Sequence, residues 1–203
     1  MIPEPTIFVV DDDPAMRESL KTLFDASGDR CRMFASAEEF LDVYNSEWPG
    51  CLILDLRMPG MSGLELQERL VESRVTLPII MFSAHGDIPA AVSALQRGAM
   101  DFVQKPFAPN LLLERVHTAI DRDREQRKQS LGTAEVSRKL AALSPREKDV
   151  LKLIVAGEPT KNIARTLGTS YNTVKNQRAS ILKKLEADSV VDVVRMVAEH
   201  DKR

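Results

Sequence analysis

The sequence predicts a doubly wound α/β domain on a five-stranded parallel sheet, followed by a small all-α domain. Three observations carry that prediction. Short apolar runs alternate five times with amphipathic stretches of helical period in the first part of the chain. Most of those runs end in a carboxylate, a hydroxyl or an ammonium. The charge then changes sign: residues 1–122 carry 11 Lys/Arg against 19 Asp/Glu, net −8, whereas residues 138–203 carry 14 against 8, net +6. An acidic front and a basic back point to two domains, the second suited to a polyanion.

Taken in order, TIFVV at 6–10 is a buried-strand run that ends in Asp11, Asp12 and Asp13. Pro14 suits a first helical turn, Met16, Leu20, Leu23 and Phe24 give that helix an apolar face, and Gly28 closes it. A short strand at 31–34 precedes a helix at 36–44, where Ser36 and Glu39 have capping-box spacing. CLIL at 51–54 is a continuous apolar run, the pattern of a strand buried on both faces, and it delivers Asp55 to a Pro/Gly-rich turn. Leu64, Leu66, Leu70 and Val71 mark a helix over 63–74. PIIMF at 78–82 is a fourth strand ending at Ser83, and a helix over 87–96 stops at Gly98. A fifth strand at 100–103 leads into Gln104, Lys105, Pro106 and Phe107, and a last helix of this domain starts near Pro109.

In such a sheet, ligands bind beyond the carboxyl ends of the strands. Asp11, Asp12, Asp55, Ser83 and Lys105 would therefore meet at one edge. Three carboxylates without His or Cys form a hard-oxygen set suited to Mg²⁺, completed by water or a backbone carbonyl. A hydroxyl and an ammonium opposite can hold phosphoryl oxygens, and a carboxylate can attack phosphorus to give an acyl phosphate. Helix capping by Asp11 or a solvated Lys105 would explain either residue alone, but not five such residues at one edge.

VVDDD at 9–13, LDLRMPGMSG at 54–63, FSAHGDIP at 82–89 and QRGAMDFVQKPF at 96–107 resemble the motifs of a response-regulator receiver domain, a flavodoxin-like fold. The resemblance covers residues 3–122, and the whole chain resembles the FixJ-like regulators. It implies that Asp55 is the phosphoacceptor and that Asp11, Asp12 and Asp55 bind Mg²⁺ with the Arg57 backbone carbonyl. It further implies a switch hydroxyl at Ser83, a phosphate-binding Lys105 followed by a cis bond to Pro106, and an aromatic switch at Phe102. Ser83 moving inward would let Phe102 rotate from exposed to buried, remodelling a face that carries Ala91, Val92, Leu95 and Gln96. By resemblance, that face dimerises on phosphorylation.

Residues 123–140 are highly charged and read as a linker, capable of extending the fifth helix, so the expected division is 1–122, 123–140 and 141–203. In the last part, Ser144, Pro145 and Glu147 form an N-cap, a first-turn proline and a capping box. Helices at 161–167 and 171–185, joined by a tight turn with Gly168, match a helix-turn-helix whose second helix enters the major groove. On that helix Val174, Ile181 and Leu185 face inward, while Asn172, Lys175, Asn176 and Ala179 form another face flanked by Arg178, Lys183 and Lys184. Residues 143–197 resemble the LuxR-type DNA-binding domain. That implies base contacts from Lys175 and Asn176, with Thr173, Arg178, Lys161 and Lys184 nearer phosphates. The valines of a final helix at 190–199 exceed what a small domain buries, leaving some to pair two DNA-bound copies.

The expected function is a phosphorylation-dependent transcription factor. Its partners are a sensor histidine kinase, double-stranded promoter DNA, RNA polymerase and a second copy of itself. No apolar run approaches the roughly 18 residues of a membrane span, so a cytoplasmic location is expected. Cys31 and Cys51 lack C-x-x-C spacing and suit a reduced core. The alternatives are a receiver whose tail binds protein and a phosphatase of the haloacid dehalogenase type. The second usually carries its nucleophile on the first strand rather than the third. The chain is not expected to be an enzyme.

Overall fold

The computed structural model describes residues 4–83 and 88–201. Contacts divide the chain into two units, Met1–Arg127 and Lys128–Arg203. The first holds β1 (Thr6–Val10), α1 (Pro14–Ser27), β2 (Cys31–Phe34), α2 (Ala37–Val43), β3 (Gly50–Asp55), α3 (Gly63–Glu72), β4 (Ile79–Ser83), α4 (Ile88–Gln96), β5 (Asp101–Gln104) and the start of α5 (Pro109–Ala141). The second holds the end of α5 with α6 (Pro145–Val155), α7 (Thr160–Thr166), α8 (Tyr171–Leu185) and α9 (Val190–Asp201).

The sheet order is β2-β1-β3-β4-β5, and every pairing is parallel. Burial follows from that order. Every residue of β3 and β4 is buried, as their unbroken apolar runs require, whereas the edge strands β2 and β5 are half exposed. Successive side chains take opposite faces. Phe8, Val10, Leu52 and Leu54 pack with Phe40, Leu66 and Leu70; Ile7, Val9, Cys51 and Ile53 pack with Leu20, Phe24, Leu112 and Val116. The strand order reverses between β1 and β3, the place where such sheets open a crevice.

Helix ends depart from the sequence expectations in small ways. Ser36 caps α2, but the Glu39 carboxylate accepts from Ala35 N (2.6 Å), leaving the expected capping box half made. α3 ends at Glu72 because Arg74 takes a left-handed φ of 56° and Val75 N closes on Leu70 O (2.9 Å). α4 begins at Ile88; Asp87, expected to start it, lies outside the described residues, as does part of the motif at 82–89.

The larger departure concerns the expected linker. α5 is one helix through Ala141, and its Asp123 is 1 % exposed. Asp123 Oδ2 accepts from Gly50 N (2.9 Å) and Arg127 Nε (2.8 Å), and Arg127 also donates to the carbonyls of Ser46 (3.0 Å) and Trp48 (2.8 Å). The first unit therefore extends past residue 122, and a pair that reads as solvated charge ties α5 to the start of β3. Gly50 is needed there: its φ is 146°, and a Cβ would lie 1.9 Å from Thr6 O.

In the second unit, Ser144 and Glu147 complete a capping box with Pro145 in the first turn of α6. α7 begins at Thr160, with Pro159 as its N-cap, one residue earlier than expected. Ser170 caps α8 through Thr173 N (3.0 Å). Val150, Ile154, Ile163, Val174, Ile181, Leu185 and Val193 form the core. On α9, Val190, Val194 and Val197 are half-buried and Val191 is 74 % exposed. Among the described residues, no helix is long and apolar enough to cross a membrane.

Candidate functional site

The carboxyl edge of the sheet gathers residues that are distant in the chain. Asp11 follows the last residue of β1, Asp55 ends β3, Ser83 ends β4 and Lys105 follows β5. Register fixes their level: Val10 pairs with Leu54, Asp55 with Phe82, and Ser83 with Gln104. The Lys105 amide donates to Ser83 O (2.7 Å), anchoring the lysine backbone. Its Nζ donates to Asp11 Oδ2 (2.7 Å) and to Asp55 Oδ1, bridging two buried carboxylates. The other oxygens are oriented by backbone: Asp13 N donates to Asp11 Oδ1 (2.9 Å) and Arg57 N to Asp55 Oδ2 (2.9 Å). The Lys105–Pro106 bond is cis.

Gly63, the first residue of α3, lets the helix start directly against the end of β3. A Cβ there would sit 2.2 Å from Asp55 O. Burial pushes the Asp55 carboxyl above its ordinary value, outweighing Lys105, whose hydrogen bond and charge pull it down. For Lys105, burial works to lower the value, yet the hydrogen bonds to Asp11 and Asp55 carry it above the ordinary range. The ammonium is thus held charged by the carboxylates it bridges.

The structure does not assemble the expected three-carboxylate cluster. Asp12 is exposed, and among the described residues no group of three or more His, Cys, Asp or Glu is placed to hold a metal ion. Lys105 holds one oxygen of each of Asp11 and Asp55. Ser83 is buried at the edge, and Phe102 on β5, paired with Met81, is half-buried against the apolar cluster of that face rather than exposed. On α4, Val92 and Leu95 are 48 % and 46 % exposed, Gln96 is exposed and Ala91 half-buried.

In the second unit, the outward row of α8 stands as expected: Asn172, Thr173, Lys175 and Asn176 are exposed, and Arg178 is half-buried. Lys161 is exposed on α7. Lys184 differs from the expectation. Its Nζ lies 2.7 Å from Oε2 of Glu147, so it balances a buried carboxylate instead of standing free for a phosphate. Glu147 also accepts from Ser180 Oγ (2.6 Å) and Ser144 N (2.7 Å), which joins α6 to α8. Sequence spacing revealed its capping role but not this second one, because Ser180 and Lys184 meet it across the fold.

The family profile described as "Response regulator receiver domain" matches residues 7–117, and that of "Bacterial regulatory proteins, luxR family" matches residues 141–197. The chain belongs to the response regulators. This response regulator is 42 % identical over 190 residues to Nodulation protein W of Bradyrhizobium diazoefficiens, covering 94 % of this chain and 84 % of that protein. It is 37 % identical to the transcriptional regulatory protein FixJ of the same organism, covering 94 % and 93 %. The solved structure of the response regulator StyR superimposes with a TM-score of 0.90 at 39 % identity, over 97 % of this chain and 99 % of that one. As a two-component response regulator, the chain joins a receiver to a LuxR-type DNA-binding domain. That pairing implies a sensor kinase as one partner and DNA as another.

Proposed function

We propose that Asp55 accepts a phosphoryl group from a phosphohistidine of the sensor kinase, and that this controls how α8 engages promoter DNA. The bridge Asp11–Lys105–Asp55 at the sheet edge carries the proposal. An Asp55 oxygen bonds to phosphorus as the P–N bond to the kinase imidazole breaks. The electron pair leaves on the imidazole nitrogen, and the product is an acyl phosphate. Arg57 N orients the carboxylate by holding Oδ2, and Lys105 transfers a donor from the carboxylates to a phosphoryl oxygen.

Two buried carboxylates against one ammonium leave a net negative, all-oxygen environment, which fits Mg²⁺ better than a softer ion. Asp11, Asp12, Asp55 and the Arg57 carbonyl are the groups proposed to hold it. When bound, the ion supplies charge neutralisation at the phosphoryl oxygens.

Ser83 is the proposed switch hydroxyl, and Phe102, half-buried beside it on the neighbouring strand, the side chain that follows it inward. The exposed Val92 and Leu95, with Ala91 and Gln96, support a dimer face on α4. DNA contacts are assigned to Lys161, Asn172, Thr173, Lys175, Asn176 and Arg178, without Lys184. A cytoplasmic location and a contact with RNA polymerase complete the reading.

Anisotropy on a pool of genomic fragments, with and without acetyl phosphate and Mg²⁺, tests the proposal. Tighter binding on phosphorylation, absent in Asp55→Asn, is expected. Equal binding in both states refutes the control by Asp55. An unchanged mass on phosphorylation in analytical ultracentrifugation refutes the dimer face.

A further inference from the structure

We infer that Tyr171, the first residue of α8, determines sequence specificity by packing its ring on a thymine C5-methyl group in the major groove. The inference rests on the proposed reading of DNA by α8. Tyr171 is 56 % exposed, a large aromatic side chain on an otherwise polar and cationic surface of Asn172, Thr173, Lys175 and Asn176. Among the described residues, the core of the second unit does not include it. Stability therefore gives no account of a bulky ring at this position.

Position supplies the account. Tyr171 lies one turn before Lys175 and two before Arg178, so the three share one flank of the helix. The first residues of a recognition helix are the ones that reach base edges. Phosphate attraction is already provided by Arg178 and Lys161, and a neutral phenol adds little to it. What the ring adds is apolar area. Across the edges of the four base pairs in the major groove, the thymine C5-methyl is the apolar group. Asn172 and Asn176 beside it have the amide chemistry that suits adenine N6 and N7, so an A·T-containing half-site is consistent with the whole patch.

The experiment first selects bound sequences from a random duplex pool with the full chain. Each thymine of the selected site is then replaced in turn by uracil, which removes the methyl and leaves base pairing intact. The wild type is expected to lose affinity roughly three- to tenfold at one thymine per half-site, the worth of about one buried methyl group. Tyr171→Ala should be insensitive at that position and unchanged at the others, while Tyr171→Phe keeps the wild-type profile. Far-UV circular dichroism checks that both variants retain α8. An identical uracil profile for wild type and Tyr171→Ala overturns the inference. So does a Tyr171→Phe variant weakened equally on all sequences, the mark of a hydroxyl bonded to phosphate rather than a ring on a methyl group. Lys175→Ala separates the two levels. If it relaxes selection while Tyr171→Ala changes no methyl position, only the assignment of Tyr171 falls. If the wild type selects no sequence in either phosphorylation state, the reading by α8 falls as well.

Discussion

Replacing Glu147 with alanine tests whether one buried carboxylate both starts α6 and fixes α8. Its side chain is nearly buried and accepts from Ser144 N at 2.7 Å, Ser180 Oγ at 2.6 Å and Lys184 Nζ at 2.7 Å. The capping and hydroxyl bonds contribute about 1 kcal/mol each, and the charge-assisted bond somewhat more. Lys184 is 39 % exposed, so its ammonium recovers water when the partner is lost, which limits the cost. The expected destabilisation of the second unit is about 3 kcal/mol. Urea unfolding of the full chain, followed by ellipticity at 222 nm, measures it. The chain has a single tryptophan, Trp48 in the first unit, so its fluorescence transition should stay where it is in the wild type.

Acid titration gives a second reading of the same contact. The Lys184 ammonium, then the Ser180 hydroxyl and the Ser144 amide, hold the Glu147 carboxyl down from 4.5 to about 2. A depressed carboxyl stabilises the fold above its unfolded pKa and loses that contribution as pH falls toward its folded value. The wild-type second unit should therefore weaken between pH 4.5 and about 2, and Glu147→Ala should lack that part of the loss. A destabilisation below about 1 kcal/mol at neutral pH, or the same acid dependence in both proteins, would refute the assigned contact.

Two further substitutions probe the first unit. Gly50→Ala places a Cβ 1.9 Å from Thr6 O at a φ of 146°, so β1 and β3 cannot keep their register; a loss above about 4 kcal/mol is expected by urea unfolding, and a loss below 1 would show that the strand shifts freely. Asp123→Ala leaves Gly50 N and the Arg127 guanidinium without their shared acceptor. It should cost about 3 kcal/mol with a red-shifted Trp48 emission, and an unshifted spectrum would place the damage elsewhere.

What was legible in the sequence follows from the range of the interactions. Strands β1, β3 and β4 announce themselves because burial on both faces demands unbroken apolar runs such as CLIL and PIIMF. Ser36 and Ser144 were readable as caps because a cap bonds within three residues. Asp123 was not, since its partner Gly50 lies across the fold and its nearest charged neighbours are those of a solvated helix. The pairing of Lys184 was hidden for the same reason: Lys183 and Lys184 in the last turn of α8 look alike until Glu147 selects one of them. The strand-end residues were legible as a group because a parallel sheet brings every carboxyl end to one edge, whatever the lengths of the connections.

The edge also suggests why a lysine, rather than a second metal-ligating carboxylate, sits after β5. Asp11 and Asp55 are buried side by side, an arrangement that repels itself unless a cation lies between them. Lys105 supplies that cation, and its amide is fixed to Ser83 O on β4. A phosphoryl group on Asp55 would convert one of its carboxylate oxygens into the bridging oxygen of an acyl phosphate and offer the ammonium a more highly charged acceptor. On the proposed reading, the donor that would turn to that acceptor is carried by a backbone tied to β4, and Phe102 lies three residues before it on β5. Exchange of one counter-ion's partners can therefore bias the β4–β5 edge without any large initial motion, because the same lysine belongs to the charge balance and to the strand pairing.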